Sequence, residues 1–346
     1  MNKKNVIIGS IVVLLVALSY LNVVPTSGAI YLVFNMILIV AGFYMLIKGA
    51  DVFVDGASKI ATKFNIPQMV IGLTIVAFGT SLPEAAVSIK AALSDNAGIT
   101  VGNVVGSNIM NILLILGVTA CVAALPIKKN TFAIEIPWVI LITVILLIMG
   151  INGNVISFVD GLILCGLMAI FMVYLVKQAK NGSSDDETTV VGEKDTMLKL
   201  LIFVVIGIVC IVIGSNVTVD AASYVAEKCG MSPRLIGLTI VAFGTSLPEL
   251  VTSATAAKRG KVDIAIGNIV GSNIFNILFV VGVSALITPV AFAAEFIKDT
   301  VVAIAAAVLL FVCVLNKKRE LNRTGGIIML VCYAVYFAYI LIMNYS

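Results

Sequence analysis

The stretch GLTIVAFGTSLPEAAVS, residues 72–88, decides how this chain folds. It is apolar enough to cross a membrane, yet it contains Pro83 and the carboxylate of Glu84. Pro83 has no N–H, and its ring clashes with the carbonyl of Gly79, so a helix is interrupted there. A charge at the centre of a membrane helix costs at least about 2.5 kcal/mol. A helix break beside a charge therefore predicts a functional site within the membrane.

The rest of the chain has the composition of a membrane protein. It is 61% hydrophobic and 12% charged, with a mean hydropathy of +1.15, whereas soluble domains carry roughly 25% charged residues. Long apolar runs recur, each near the roughly 20 residues that a spanning helix needs. We therefore predict an all-α polytopic membrane protein without a sizeable soluble domain.

The composition also excludes several functional classes. There is no histidine, so histidine-assisted catalysis, histidine metal sites and histidine proton relays are excluded. The six cysteines are scattered without a C-x-x-C motif, which argues against a disulfide framework or a zinc site. A net charge of +4 gives no nucleic-acid-binding patch. We expect no cofactor and no nucleic-acid partner.

Eleven apolar segments follow one another along the chain. They lie at about 6–24, 30–48, 67–93, 99–124, 132–149, 155–176, 198–218, 234–257, 263–287, 297–315 and 325–343. A polar, Gly/Ser-containing stretch separates two halves and is typical of a linker. The predicted organisation is an extra N-terminal helix (1–29), a first five-helix repeat (30–176), a linker (177–197) and a second repeat (198–346).

The distribution of lysine and arginine predicts the orientation. With a cytoplasmic N-terminus, 18 of the 22 basic residues fall in inside loops, as the positive-inside rule requires. Residues 1–29 have the basic start and small residues of a signal peptide. Their apolar run is longer than the roughly 7–15 residues of a signal core, so a retained helix is the favoured interpretation.

The two halves are copies of each other. With a shift of 165 positions, IGLTIVAFGTSLPE at 71–84 is identical to 236–249, and GNVVGSNIMNIL at 102–113 matches GNIVGSNIFNIL at 267–278. Five helices per copy is an odd number, so the second copy enters the membrane from the opposite side. Inverted repeats of this kind are typical of secondary transporters, whose broken helices meet near the midplane.

The broken segment offers oxygen ligands. Thr80, Ser81 and Glu84 lie near its middle, and we expect the carbonyls from Ala77 to Thr80 to lose their helical partners next to Pro83. Hard cations are bound by such carbonyl, hydroxyl and carboxylate oxygens. The alternative is a capping box, because Ser81-Leu-Pro-Glu84 has the required spacing. The two functions are compatible.

The segments that follow each broken helix carry matching polar residues. Ser107 and Asn111 share one helical face, as do Ser272 and Asn276, and G-x-x-x-G pairs allow close helix approach. These residues either line the site or only join helices. Asn108 and Asn273 point elsewhere and are assigned to packing, whereas Asn103 and Asn268 are left undecided. Other acids are expected near helix ends, in contact with water: Asp51, Asp55, Asp160, Asp220, Glu135 and Glu295.

Two carboxylates give the predicted pocket a charge of −2. One Ca²⁺ or two Na⁺ would neutralise it, and a third Na⁺ would leave +1. Exchange of one Ca²⁺ for three Na⁺ would move net charge across the membrane. The electrical work is about 2.3 kcal/mol per charge per 100 mV.

With its paired GTSLPE and GNxxGSNIxNI motifs, over residues 30–343, the chain resembles the sodium/calcium exchanger family, of prokaryotic type, within the cation/calcium antiporter superfamily. The resemblance implies ten core helices in two inverted five-helix repeats, and alternating access with about three Na⁺ exchanged per Ca²⁺. It implies that Glu84 and Glu249 bind Ca²⁺ together with backbone oxygens of Thr80 and Thr245. The Na⁺ ligands it implies include the threonine hydroxyls and Ala77, Ala242, Ser81, Ser246, Ser107 and Ser272, with Asn111 and Asn276 in the middle of the cluster.

One departure concerns the coupling ion. Some family members have Asp at the position of Asn276, and an acid near there is associated with K⁺ in potassium-dependent relatives. The proton-coupled branch has an acidic GNxxE motif that this chain lacks. Na⁺ coupling is therefore favoured, with potassium-dependent or proton-coupled exchange as the alternative.

The sequence disfavours two other classes of protein. A cation channel is disfavoured because channels build their pores from rotationally equivalent subunits. An intramembrane hydrolase at Ser81 or Ser246 would have no base except a glutamate three residues away, so we predict that the chain is not an enzyme. We further expect a monomer in the plasma membrane, in contact with the lipid bilayer.

Overall fold

A computed structural model describes residues 3–20, 28–93, 98–180, 195–231, 240 and 242–345. Side chains are described for fewer residues at the edges of these ranges, and that of Ala242 is not described.

The described chain is almost entirely helical. Its helices are α1 (Lys3–Tyr20), α2 (Ala29–Lys63), α3 (Gln68–Thr80), α4 (Leu82–Leu93), α5 (Gly98–Val122), α6 (Thr131–Ile151), α7 (Phe158–Lys180), α8 (Met197–Lys228), α9 (Ala242–Thr245), α10 (Leu247–Lys258), α11 (Val262–Ile287), α12 (Ala294–Cys313) and α13 (Arg323–Tyr345). Four two-residue strands lie between them: β1 (Leu125–Pro126), β2 (Val155–Ile156), β3 (Val290–Ala291) and β4 (Glu320–Leu321).

The predicted spanning segments reappear as helices. Within the described residues, eight helices are long and apolar enough to span a membrane, and α3 with α4 forms a further span that bends by 52°. The predicted segment 234–257 lies partly outside the described residues, and its later part forms α9 and α10. The predicted linker lies largely outside them too, and the ends of the predicted domains stay a prediction.

Two helices are much longer than the predicted segments. Helix α2 has 35 residues and α8 has 32, although hydropathy predicted ends at 48 and 218. The hydropathy signal stops at Asp51 and Asp55, but the helix continues because its other face is buried through Phe53 and Ala57. Lys59 also pairs with Asp55 at 3.0 Å, one turn away. Asp51 and Asp55 therefore lie within a helix, not near its end.

The contact between α2 and α8 shows the relation between the repeats. Gly42 and Gly49 of α2 correspond to Gly207 and Gly214 of α8 after the shift of 165. A Cβ at Gly42 would lie 2.8 Å from the Gly214 carbonyl oxygen, and one at Gly49 would lie 3.0 Å from that of Gly207. These two contacts exchange under the shift, as an inverted repeat requires. The long helices thus cross with their backbones touching.

The short strands link the repeats in the same way. Strand β1 pairs with β4 and β2 pairs with β3, both antiparallel. The shift of 165 turns β1 into β3 and β2 into β4. Each pair therefore joins one half to the other.

Helices α5 and α11 form the centre of the protein. Of their apolar windows, 78% and 83% is buried, compared with 17–33% for the other spanning helices. These two helices carry the repeated GSN motifs, so the fold places the polar residues at its most enclosed point.

Candidate functional site

The membrane helix is interrupted at the same position in both halves. Helix α3 ends at Thr80 and α4 begins at Leu82, with Ser81 between them at φ −86° and ψ 9°. Ser246 separates α9 from α10 with nearly the same angles, φ −91° and ψ 1°. Each glutamate then lies in the first turn of the helix that follows, where the helix dipole stabilises a carboxylate.

The serines of these breaks contact the opposite half. The Ser81 hydroxyl donates to Glu249 Oε1 at 2.8 Å, and that of Ser246 donates to Glu84 Oε1 at 3.4 Å. Ser246 makes no side-chain capping hydrogen bond to its own helix. The crossed contacts bring both glutamates into one site.

Both glutamates are completely buried, and each keeps one oxygen, Oε2, without a hydrogen-bond partner. Among the ion pairs of the described residues, none includes Glu84 or Glu249. A buried carboxylate without a countercharge is strongly unfavourable. The arrangement is therefore suited to holding a cation.

Four asparagines connect α5 to α11 beside the carboxylates. Asn108 Nδ2 donates to the Asn273 carbonyl at 3.2 Å, and Asn273 Nδ2 donates to the Asn108 carbonyl at 3.4 Å. The prediction that this pair serves helix packing is confirmed. Their side-chain oxygens accept from Asn111 Nδ2 at 3.0 Å and from Asn276 Nδ2 at 3.1 Å.

This asparagine cluster fixes the amide groups of Asn111 and Asn276. Because each Nδ2 is engaged, each Oδ1 is held in a defined direction, and both are buried without a partner. Together with the two glutamate oxygens they make four unpartnered buried acceptors, the kind of oxygen that a hard cation binds.

Asn103 and Asn268, undecided from the sequence, lie against the glutamate helices. Asn103 Nδ2 donates to Ser88 Oγ at 2.9 Å and to the Glu84 carbonyl at 3.2 Å. Asn268 donates to Ser253 Oγ at 2.9 Å and to the Glu249 carbonyl at 3.5 Å. Sequence analysis missed both serines. Their signal is the shared spacing of four residues after each glutamate, which repeats in both halves.

The remaining predicted ligands differ in their burial and in their contacts. Thr80 is fully buried, and its hydroxyl lies 3.2 Å from the Val76 carbonyl and 3.3 Å from that of Ala77. The Ser272 hydroxyl donates to Glu249 Oε1 at 3.3 Å. Thr245 is partly exposed, and Ser107 lines a cavity. Ala242 begins α9.

The Ala77 carbonyl contradicts one expectation. It accepts the Ser81 N–H at 3.0 Å, so it keeps a helical partner. The break lies one residue later than expected, because the helix closes its last turn at Ser81 before Pro83 interrupts it. A carbonyl oxygen has a second lone pair, so the role proposed for Ala77 is still chemically open to it.

Glu135 contradicts a second expectation. It was placed in contact with water at a helix end, but it is completely buried. Its Oε1 accepts from the Tyr174 hydroxyl at 2.8 Å and from Gln178 Nε2 at 3.4 Å. Helix α7 covers this end of α6, and that contact between distant segments decided the burial. The available signal was that Glu135 already lay inside the predicted segment 132–149.

Comparisons with known proteins agree with the fold. The family model described as sodium/calcium exchanger protein matches twice, at residues 34–177 and 199–342. The sodium/calcium exchanger MaX1 of Methanosarcina acetivorans is 31% identical over 341 residues, covering 87% of this chain and 97% of that protein. The inner membrane protein YrbG of Escherichia coli is 37% identical over 259 residues, covering 73% and 79%.

A solved structure has the same fold. The sodium-calcium exchanger NCX_Mj superposes with a TM-score of 0.77 at 33% identity, covering 89% of this chain and 99% of that one. Its likeness extends through both repeats, and both MaX1 and NCX_Mj are named as exchangers, which are transporters and not enzymes. The chain is therefore a multi-pass membrane antiporter that belongs to the sodium/calcium exchanger family.

Proposed function

We propose that this antiporter exchanges Na⁺ for Ca²⁺ by alternating access, with about three Na⁺ per Ca²⁺ as the family resemblance implies. The observation that carries the proposal is the pair of fully buried glutamates, each with an unpartnered oxygen. The names of the relatives MaX1 and NCX_Mj support the choice of ions.

The proposed Ca²⁺ ligands are the carboxylates of Glu84 and Glu249 with the backbone oxygens of Thr80 and Thr245. Carboxylate and carbonyl oxygens are the usual Ca²⁺ ligands. The proposed Na⁺ ligands are the threonine hydroxyls and oxygens of Ala77, Ala242, Ser81, Ser246, Ser107 and Ser272. Asn111 and Asn276 are proposed to line the middle of the cluster, which is supported by the hydrogen bonds that hold their Nδ2 groups.

Charge balance makes the proposed exchange electrogenic. Two glutamates supply −2, which one Ca²⁺ cancels and three Na⁺ exceed by one. Each cycle then moves one net charge, worth about 2.3 kcal/mol per 100 mV. The proposed setting is the plasma membrane with the N-terminus in the cytoplasm, as the lysine and arginine distribution predicts.

The test is uptake of ⁴⁵Ca²⁺ into proteoliposomes loaded with Na⁺, with K⁺, or with acid relative to the bath. We expect uptake only from Na⁺-loaded vesicles, saturating with external Ca²⁺ and faster when the interior is made positive, because each cycle carries one net positive charge outward. Liposomes without protein are the control.

The alternatives give different results in the same assay. Uptake driven by a proton gradient alone, or dependent on K⁺, would replace Na⁺ coupling by the corresponding exchange. Uptake that needs no counter-ion would indicate a channel. A rate that ignores the membrane potential would contradict the proposed stoichiometry.

A further inference from the structure

Two cavities flank the site and are related by the repeat. Cavity 1 has a volume of about 470 Å³ and cavity 2 one of about 320 Å³. Seven lining positions of cavity 1 recur in cavity 2 after the shift of 165, among them Ile240 with Ile75 and Phe243 with Phe78. The inverted repeat therefore provides two corresponding cavities.

Only cavity 1 reaches the polar residues of the site. Its lining includes Asn103 and Ser107. The counterparts Asn268 and Ser272 are completely buried, and the residues that line cavity 2 do not include them.

The hydrogen bonds also differ between the two cavity sides, with more of them on the side of cavity 2. On the cavity 2 side, Thr80 Oγ1 donates to Asn268 Oδ1 at 2.9 Å, and Ser272 donates to Glu249 at 3.3 Å. On the cavity 1 side, the described side chains form neither the equivalent Thr245–Asn103 bond nor a Ser107–Glu84 bond. One side of the site is hydrogen-bonded shut and the other is open.

Aromatic rings reinforce the closed side. Phe275 packs edge-on against Phe78, with centroids 5.1 Å apart, and stacks on Phe279 at 4.6 Å. Phe275 and Phe279 stand where cavity 1 has Met110 and Leu114. The copies of the GSN helix thus differ by two aromatic rings, and a dry aromatic constriction stops ions as hydrophobic gates do in channels.

We propose that the Thr80–Asn268 hydrogen bond and the Phe275–Phe279 stack form the closed gate of this transporter, and that Asn103 with Thr245 forms the matching gate when the site opens to the other side. Asn103 and Asn268 are then positioning residues that select the accessible side. The inference rests on the proposed function only in requiring alternating access, not in the identity of the coupling ion.

The test measures accessibility, not transport. Ile274→Cys reports on cavity 2 and Leu114→Cys on cavity 1, since each native residue lines its cavity. Ile274 is completely buried, whereas Leu114 is partly exposed. The protein is placed in nanodiscs without Na⁺ or Ca²⁺ and treated with a cationic methanethiosulfonate reagent. Peptide mass spectrometry quantifies the label at each position, so the six native cysteines do not interfere.

With the native gate, we expect labelling at position 114 and protection at 274. Asn268→Ala should raise labelling at 274 by about fivefold, the population equivalent of one buried hydrogen bond, and lower it at 114. The matched control Asn103→Ala should leave 274 protected, because it weakens the opposite gate.

A second variant guards against misfolding of Asn268→Ala. Phe275→Met with Phe279→Leu gives α11 residues like those of α5 and should also expose position 274. Protection at 274 in both variants would overturn the proposal, as would equal exposure by Asn103→Ala. Failure of Na⁺-driven uptake, with the labelling shift intact, would refute the coupling ion and leave the gate standing.

Discussion

The two halves of this transporter share the arrangement of their buried glutamates and differ in the access beside them. Glu84 and Glu249 are equally buried, and each is contacted by the serine of the other half. The side facing Asn268 is closed, whereas the side facing Asn103 opens into a cavity. A site at a two-fold axis can be symmetric, but its access cannot, since alternating access requires that one route be shut.

The largest effect should come from replacing one of the two glutamates, which the halves have in common. Glu84→Gln or Glu249→Gln removes one of the two negative charges, and we expect Ca²⁺ uptake to fall at least about 100-fold in either variant, as each carboxylate is a proposed Ca²⁺ ligand. Uptake of ⁴⁵Ca²⁺ into Na⁺-loaded proteoliposomes measures it. Glu295→Gln neutralises an exposed acid and should leave uptake unchanged. Full activity in either glutamate variant would refute the site.

The asparagine cluster tests whether the two halves, which make equivalent hydrogen bonds there, also contribute equally to stability. Asn108→Ala and Asn273→Ala each leave buried amides unpaired, so each should lower stability by about 2 kcal/mol. Thermal unfolding in detergent, followed by loss of monodisperse protein, would show equal shifts. Asn35→Ala is the control, because Asn35 bonds only within its own helix. Clearly unequal shifts in unfolding temperature would mean that the two asparagines do not contribute equally to stability.

Glu135 tests a difference between the two halves, because the second half has Thr300 at this position. Glu135→Ala removes the acceptor of Tyr174 and Gln178 and should cost about 1 kcal/mol of stability. Glu135→Gln keeps an acceptor oxygen and removes an uncompensated buried charge, so stability should be equal or higher. Both variants should retain Ca²⁺ uptake, and loss of uptake in a stable Glu135→Gln protein would place this acid in the transport mechanism.

The smallest effect belongs to a surface difference between the halves. Arg259 contacts Asp51 at 3.0 and 2.7 Å, and the second half has Asn216 in place of that aspartate. Both side chains are partly exposed, so Arg259→Gln should cost less than about 1 kcal/mol, and less still at high salt. Thermal unfolding at low and high ionic strength checks this against Lys317→Gln; a loss well above that bound would show a structural role.

Much of the fold could be predicted because its signals are local. Apolar run length identified the spanning segments, and the identical stretches at 71–84 and 236–249 revealed the repeat. Hydropathy failed at the ends of α2 and α8, where one helical face is polar and the other packs against a neighbour. Burial of that face depends on another part of the chain, which a window of sequence does not contain.

By itself the sequence determined a polytopic membrane protein with an inverted repeat, two acids beside helix breaks, and the Ser and Asn residues opposite them. Each of these follows from residue type and spacing along one segment. Tertiary structure decided the rest: which asparagine oxygens are left buried without a partner, why Glu135 is buried, and which of two equivalent cavities reaches the polar residues. Those outcomes depend on contacts between segments 39 to 188 residues apart, and two copies with the same motif carry no local signal that says which one is shut.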